Sequence, residues 1–103
     1  MALFVALHQH QADQCPAADP RMGPMLLGHL SPQNASAQGV TIQAEAVVND
    51  AHTLYLIVEA DRTDRVEAFM APFAQAGTVQ VLPTSSCEAV IGRGGCASTA
   101  APP

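Results

Sequence analysis

Lysine is missing altogether from this chain, and Arg21, Arg62, Arg65 and Arg93 are its only permanently cationic side chains. Four scattered arginines build no basic patch, so nucleic acid is not an expected partner. Tryptophan is absent and the aromatics are Phe4, Tyr55, Phe69 and Phe73, so a core must rest on Leu, Val, Ile, Met and Ala. No apolar run approaches the ~20 residues that a membrane-spanning helix needs, and no membrane association is expected. The opening run, Ala2 to Leu7, is short, lacks a basic flank and stops at His8. It does not read as a secretory leader, and the expected location is cytoplasmic. Cysteine is also sparse. In such a compartment Cys15, Cys87 and Cys96 are expected to be thiols or ligands rather than a disulfide framework.

Against these absences, 49% of the 103 residues are apolar and only 13% are charged, the balance of a folded single domain. So little surface charge suggests that part of the surface is covered by a second copy. The net charge of −5 suits a cationic ligand such as a metal ion.

Apolar periodicity divides the chain into six main elements. Residues 2–10 read as a first strand, followed by a loop to Asp19-Pro20, where Asp19 caps a helix and Pro20 occupies its first turn. Met22, Met25, Leu26, His29 and Leu30 recur at helical spacing. Ser31-Pro32 breaks that helix and caps a short turn that ends at Gly39. Residues 40–46 alternate apolar and polar, a strand with one buried face, and Asn49-Asp50 turns it into a third strand, residues 53–60. Val66, Phe69, Met70, Phe73 and Ala74 form the stripe of a second helix, kinked or shortened by Pro72. A fourth strand follows over residues 78–82. Residues 1–91 then form the folded domain, and residues 92–103, with Gly94-Gly95-Cys96, a flexible tail.

The chemistry concentrates in His8-Gln9-His10 and Cys15. On a strand, His8 and His10 project from one face, and Cys15 follows in a loop short enough to fold back. Imidazole and thiolate suit Zn, Cu, Ni or Fe and not Ca²⁺ or Mg²⁺, so His8, His10 and Cys15 are the candidate metal ligands.

The order β-α-β-β-α-β is that of the ferredoxin-like sandwich, an α+β fold with a four-stranded antiparallel sheet and two helices on one face. Strands one and three are apolar on both faces, so the bare face needs a cover. In this the chain resembles the dimeric α+β barrel superfamily, including its small bacterial metal-binding members, over roughly residues 2–90. The resemblance implies a sheet-to-sheet homodimer and a strand order 4-1-3-2. With strands one and three taken as parallel, His8 and His10 are expected beside Glu59 and Asp61, making Glu59 a further ligand or an outer-shell group. His52 and Cys87 are then expected at the opposite end, within reach of a partner's site. In position, the loop after strand one is also where heavy-metal-associated copper-carrier domains hold paired cysteines, which this chain lacks.

Other residues invite plainer readings. His29 falls on the apolar face of the first helix and reads as a core or interface histidine. His52 reads as a solvated residue after a turn. Met22, Met25 and Met70, at helical spacing, read as core fill and not as copper ligands. Cys87 and Cys96 stand open between free thiols, a disulfide and soft ligands carried on the tail. Gly92-Arg93-Gly94-Gly95 is too short for a phosphate loop.

Three functions fit. The first is a metal-binding module on His8, His10 and Cys15, with water, Glu59 or a partner's thiol completing the set and room for metalloenzyme chemistry. The second, implied by the resemblance, is a metal-free monooxygenase, isomerase or cyclase in which a histidine such as His8 is the general base and Tyr55 orients an oxygen substituent. The third is a non-catalytic dimer that senses or sequesters a ligand.

Overall fold

The computed structural model describes residues 1–97. Four strands, β1 (Ala2–Gln9), β2 (Thr41–Val48), β3 (Thr53–Ala60) and β4 (Thr78–Thr84), form one antiparallel sheet in the order β2-β3-β1-β4. Read from the β4 edge this is 4-1-3-2. The helices are α1 (Met22–His29), α2 (Pro32–Ala37), α3 (Thr63–Phe69), α4 (Ala71–Ala74) and α5 (Cys87–Arg93), with two short 3-10 turns, Ala12–Gln14 and Pro16–Ala18, before α1.

Relative strand direction departs from expectation. β1 and β3 are antiparallel, with Leu3 opposite Glu59 and Gln9 opposite Thr53. The cause is parity. The helical crossover from β1 to β2 preserves strand direction and the tight β2–β3 hairpin reverses it, so β3 must run against β1. This exchanges which end of β3 lies beside the end of β1.

Local chemistry sets most boundaries. Asp19 Oδ1 accepts the backbone N–H groups of Arg21 and Met22 at 2.8 and 3.1 Å, satisfying donors at the start of α1. Those two bonds hold the Asp19 carboxyl below the usual aspartate range. Ser31 Oγ accepts from Asn34 N, with Pro32 in the first turn of α2. The second helical stripe is split at Met70 into α3 and α4, because Pro72 has no N–H to continue the ladder. α5 was not foreseen. Its signals are Ser86, which accepts from Ala89 N, and Gly94 in the left-handed region (φ 85°) after its last turn. It crosses the boundary expected at 91/92. Arg93 donates to Ser85 Oγ and to the carbonyls of Gly95 and Cys96. The end of the expected tail, 98–103, lies outside the described residues.

Alternation then sorts the side chains. Phe4 and Ala6 of β1 and Leu56, Val58 and Ala60 of β3 point inward, where they meet Leu26, Val66, Phe69, Met70 and Phe73 in one core. Each large apolar side chain buried there contributes about 1.5–3 kcal/mol. Leu3, Val5, Leu7, Tyr55, Ile57 and Leu82 fall on the other face, where Ile57, Val5 and Leu82 form a row across three strands. Tyr55, Ile57 and Leu82 are exposed there. Among the described residues no helix is long and apolar enough to cross a membrane.

Candidate metal centre

The register that pairs Gln9 with Thr53 makes His10 and His52 the next opposed pair beyond the ladder. Their backbones join through His10 N–H donating to the His52 carbonyl at 3.2 Å. Their rings also meet, with His52 Nδ1 3.2 Å from His10 Nε2. His52 is held there by the β2–β3 hairpin, in which both Asp50 (φ 65°) and His52 (φ 51°) adopt left-handed backbone. Such conformations are uncommon for residues other than glycine, though Asp and His tolerate them best.

Cys15 arrives from the other side, between the two 3-10 turns. Pro16 is buried, and the Cys15 carbonyl accepts from Ala18 N at 3.1 Å, anchoring the turn that carries the thiol. One ring nitrogen each from His10 and His52 and the Cys15 sulfur all lie within 4.8 Å of one another. Nitrogens bound at about 2.0–2.1 Å to one tetrahedral ion stand about 3.3 Å apart, close to the separation seen between the two rings. Binding an ion there would draw the sulfur inward and turn the two rings so that both lone pairs converge on it.

His8 stands beside this group, its ring centroid 5.3 Å from that of His10 and 5.2 Å from that of Phe73. It is 2% exposed. Its Nδ1 lies 3.1 Å from the Thr78 carbonyl, which can only accept, so Nδ1 carries the proton and Nε2 presents a bare lone pair. That Nε2 is buried without a hydrogen-bond partner, as is Nδ1 of His10. Orphaned buried nitrogens are costly, and on His10 the orphan is the ring nitrogen opposite the one that meets His52. Burial holds His8 below its ordinary value of 6.5, against the upward pull of the Thr78 carbonyl. His10 is likewise lowered, first by burial and then by the charges of His8 and His52. Both rings are neutral near pH 7, the form a metal or a proton donor requires.

Gly77 makes this packing possible. A Cβ on it would overlap the Gln9 carbonyl oxygen and crowd His10 Cα at 3.0 Å, so only glycine lets the chain entering β4 pass so close to the end of β1.

The sequence-predicted residues are thus divided. His10 and Cys15 come together, His8 lies against them, and His52, read as solvated and distant, completes the tight group. Glu59 does not approach. It is opposite Leu3, seven residue pairs from His10, or about 24 Å along the strands. Cys87 follows Thr84, which also pairs with Leu3, so α5 begins at the far end of the sheet. Cys87 and Cys96 are exposed free thiols. His29 has both nitrogens engaged, Nε2 with the Phe69 carbonyl at 2.6 Å and Nδ1 with Asn34 Nδ2 at 3.1 Å, and it stacks on Phe69. It is a structural histidine.

A cleft of about 430 Å³ opens over the group, between α1 and the β2–β3 hairpin, and His8, His10, Cys15 and His52 all line it. No protein-family model, no curated protein and no solved structure matches the chain. The class of the protein therefore rests on its fold and site: a small α+β domain with a His/Cys/His cluster compatible with a metal ion.

Proposed function

We propose that this chain is a transition-metal-binding protein in which His10, Cys15 and His52 hold the ion and His8 attends it. The observation that carries the reading is the convergence of those three side chains within 4.8 Å, beside two buried nitrogens that have no partner. Two imidazoles and a thiolate suit Zn, Cu, Ni or Fe. Three protein ligands leave a position toward the cleft, the arrangement by which a bound ion activates water or polarises a substrate. His8, proton on Nδ1 and lone pair on Nε2, would accept a proton beside that position or move in as a fourth ligand.

We further read the fold as a ferredoxin-like sandwich that pairs sheet to sheet with a second copy. The uncovered apolar row Ile57–Val5–Leu82 supports that pairing. A second reading, a metal-free enzyme with His8 as general base, draws on the unpartnered Nε2 of a histidine that lines the cleft. Elemental analysis of protein purified without an affinity tag decides between them. Near-stoichiometric metal in the wild type, lost together in His10→Ala and His52→Ala, is the expected result. Metal content that those substitutions do not change would remove the first reading.

A further inference from the structure

The cleft above the cluster also carries information about what it receives. Its walls are Leu26 and Leu27 of α1 and Leu30 just after it, facing Val47, Val48 and Leu54 of the hairpin. Leu27, Val47 and Val48 are 68%, 61% and 46% exposed, so three of the chain's exposed large apolar side chains gather at this one mouth. Exposed apolar groups collected around a cleft mark a surface that a ligand covers. Its volume of about 430 Å³ lies in the range of small-molecule sites.

The charges around it are one-sided. Glu45 and Asp50 line the cleft, and none of the four arginines does. A divalent ion with the Cys15 thiolate carries a net single positive charge, which the two carboxylates more than offset. A carboxylate or phosphate entering here would meet no cation except the ion itself, and it would have to shed water against apolar walls. A neutral ligand with a lone pair meets neither cost.

Resting on the metal reading above, we propose that the cleft binds an uncharged small molecule with an apolar body. A single neutral nitrogen or sulfur donor on that molecule would coordinate the ion at the position left by His10, Cys15 and His52. The body lies between α1 and the hairpin, with the His8 side chain among the lining residues.

Cobalt(II)-loaded protein supplies the test, because its visible absorption reports the coordination sphere directly. The probes are 4-phenylimidazole, imidazole and phenylacetate. The cobalt spectrum should respond to 4-phenylimidazole at a concentration at least about tenfold lower than to imidazole, the increment expected for burying a phenyl ring. Phenylacetate should bind more weakly than either azole. Val47→Trp and Leu27→Trp, both at exposed positions, should keep the cobalt spectrum and abolish the phenyl advantage. Equal response to the two azoles overturns the proposal, as does tighter binding of phenylacetate or a phenyl advantage that survives both tryptophan variants. A protein that yields no cobalt spectrum before any probe is added overturns the metal reading itself and this proposal with it.

Discussion

His52 Nδ1 lies 3.2 Å from His10 Nε2 across 42 positions of chain, because the β1–β3 register sets the two residues opposite each other just beyond the last ladder pair. One proton lies between the two nitrogens. A cation taking its place would move that proton to the far nitrogen of its ring or release it, leaving both lone pairs on the ion.

Zinc affinity, measured by competition with a chromophoric chelator, should therefore fall at least about 10–100-fold in His10→Ala, His52→Ala and Cys15→Ser. Glu59→Gln, at the other end of the sheet, should leave it unchanged. A Glu59→Gln loss equal to that of His52→Ala would place the ion elsewhere.

The metal-free protein should lose stability in acid. His8 and His10 are held below 6.5 in the folded state, mainly by burial, and return to ordinary values on unfolding. As pH falls through 6.5 the unfolded chain takes up protons that the folded one refuses, so unfolding becomes easier. The loss begins near pH 6.5 and levels off once the folded-state rings also protonate. Urea midpoints with chelator present should drop from about pH 7.5 to about pH 5, with a shallower slope in His8→Gln. A flat profile would show that neither ring is buried as described.

Gly77→Ala should be costly for a surface-sized change. The added methyl meets backbone atoms of Gln9 and His10 that cannot rotate away. A loss of about 1–3 kcal/mol in denaturant unfolding is expected, with weakened zinc binding because the end of β1 shifts. An unchanged midpoint would mean the turn relaxes freely.

The uncovered sheet face predicts self-association. Sedimentation of the wild type should give a dimer, and Ile57→Arg, which puts a charge in the centre of the apolar row, should give a folded monomer. A monomeric wild type would sink the sheet-to-sheet pairing while leaving the metal reading untouched.

Asn34→Ala is the useful control. Asn34 donates to His29 Nδ1 and to the His29 carbonyl at 2.7 Å, tying α1 to α2 away from the cluster. Its removal should cost about 1 kcal/mol of stability and change metal affinity little. A large drop in zinc binding would instead couple that helix junction to the site.

Much of this could be read before the fold was known. The alternation in residues 40–46, the apolar run of residues 53–60 and the turn at Asn49-Asp50 located β2, β3 and their hairpin, because strand period and turn chemistry are local properties, although β2 has no buried side chain where one buried face was expected. Pro72 marked the break between α3 and α4 for the same reason. His10 and Cys15 were legible as candidate ligands from their type and spacing, and the structure brings them together. His52 was not, because its role depends on which end of β3 abuts β1. The hairpin at Asn49-Asp50 held that answer, since one reversal there makes β3 antiparallel to β1. α5 was missed although Ser86 and Gly94 bracket it, because its short sequence carries little apolar periodicity.

By itself, then, the sequence determined a lysine-free, weakly charged domain of six main elements and a histidine- and cysteine-bearing segment at the end of its first strand. Residue type, period and turn chemistry act over a few residues and need no fold to be read. Tertiary structure alone decided that His52 and not Glu59 joins His10 and Cys15, that His8 keeps a bare buried nitrogen, and that all four line an apolar cleft. Those facts depend on strand direction, register and burial, which exist only once segments distant in the chain are packed together.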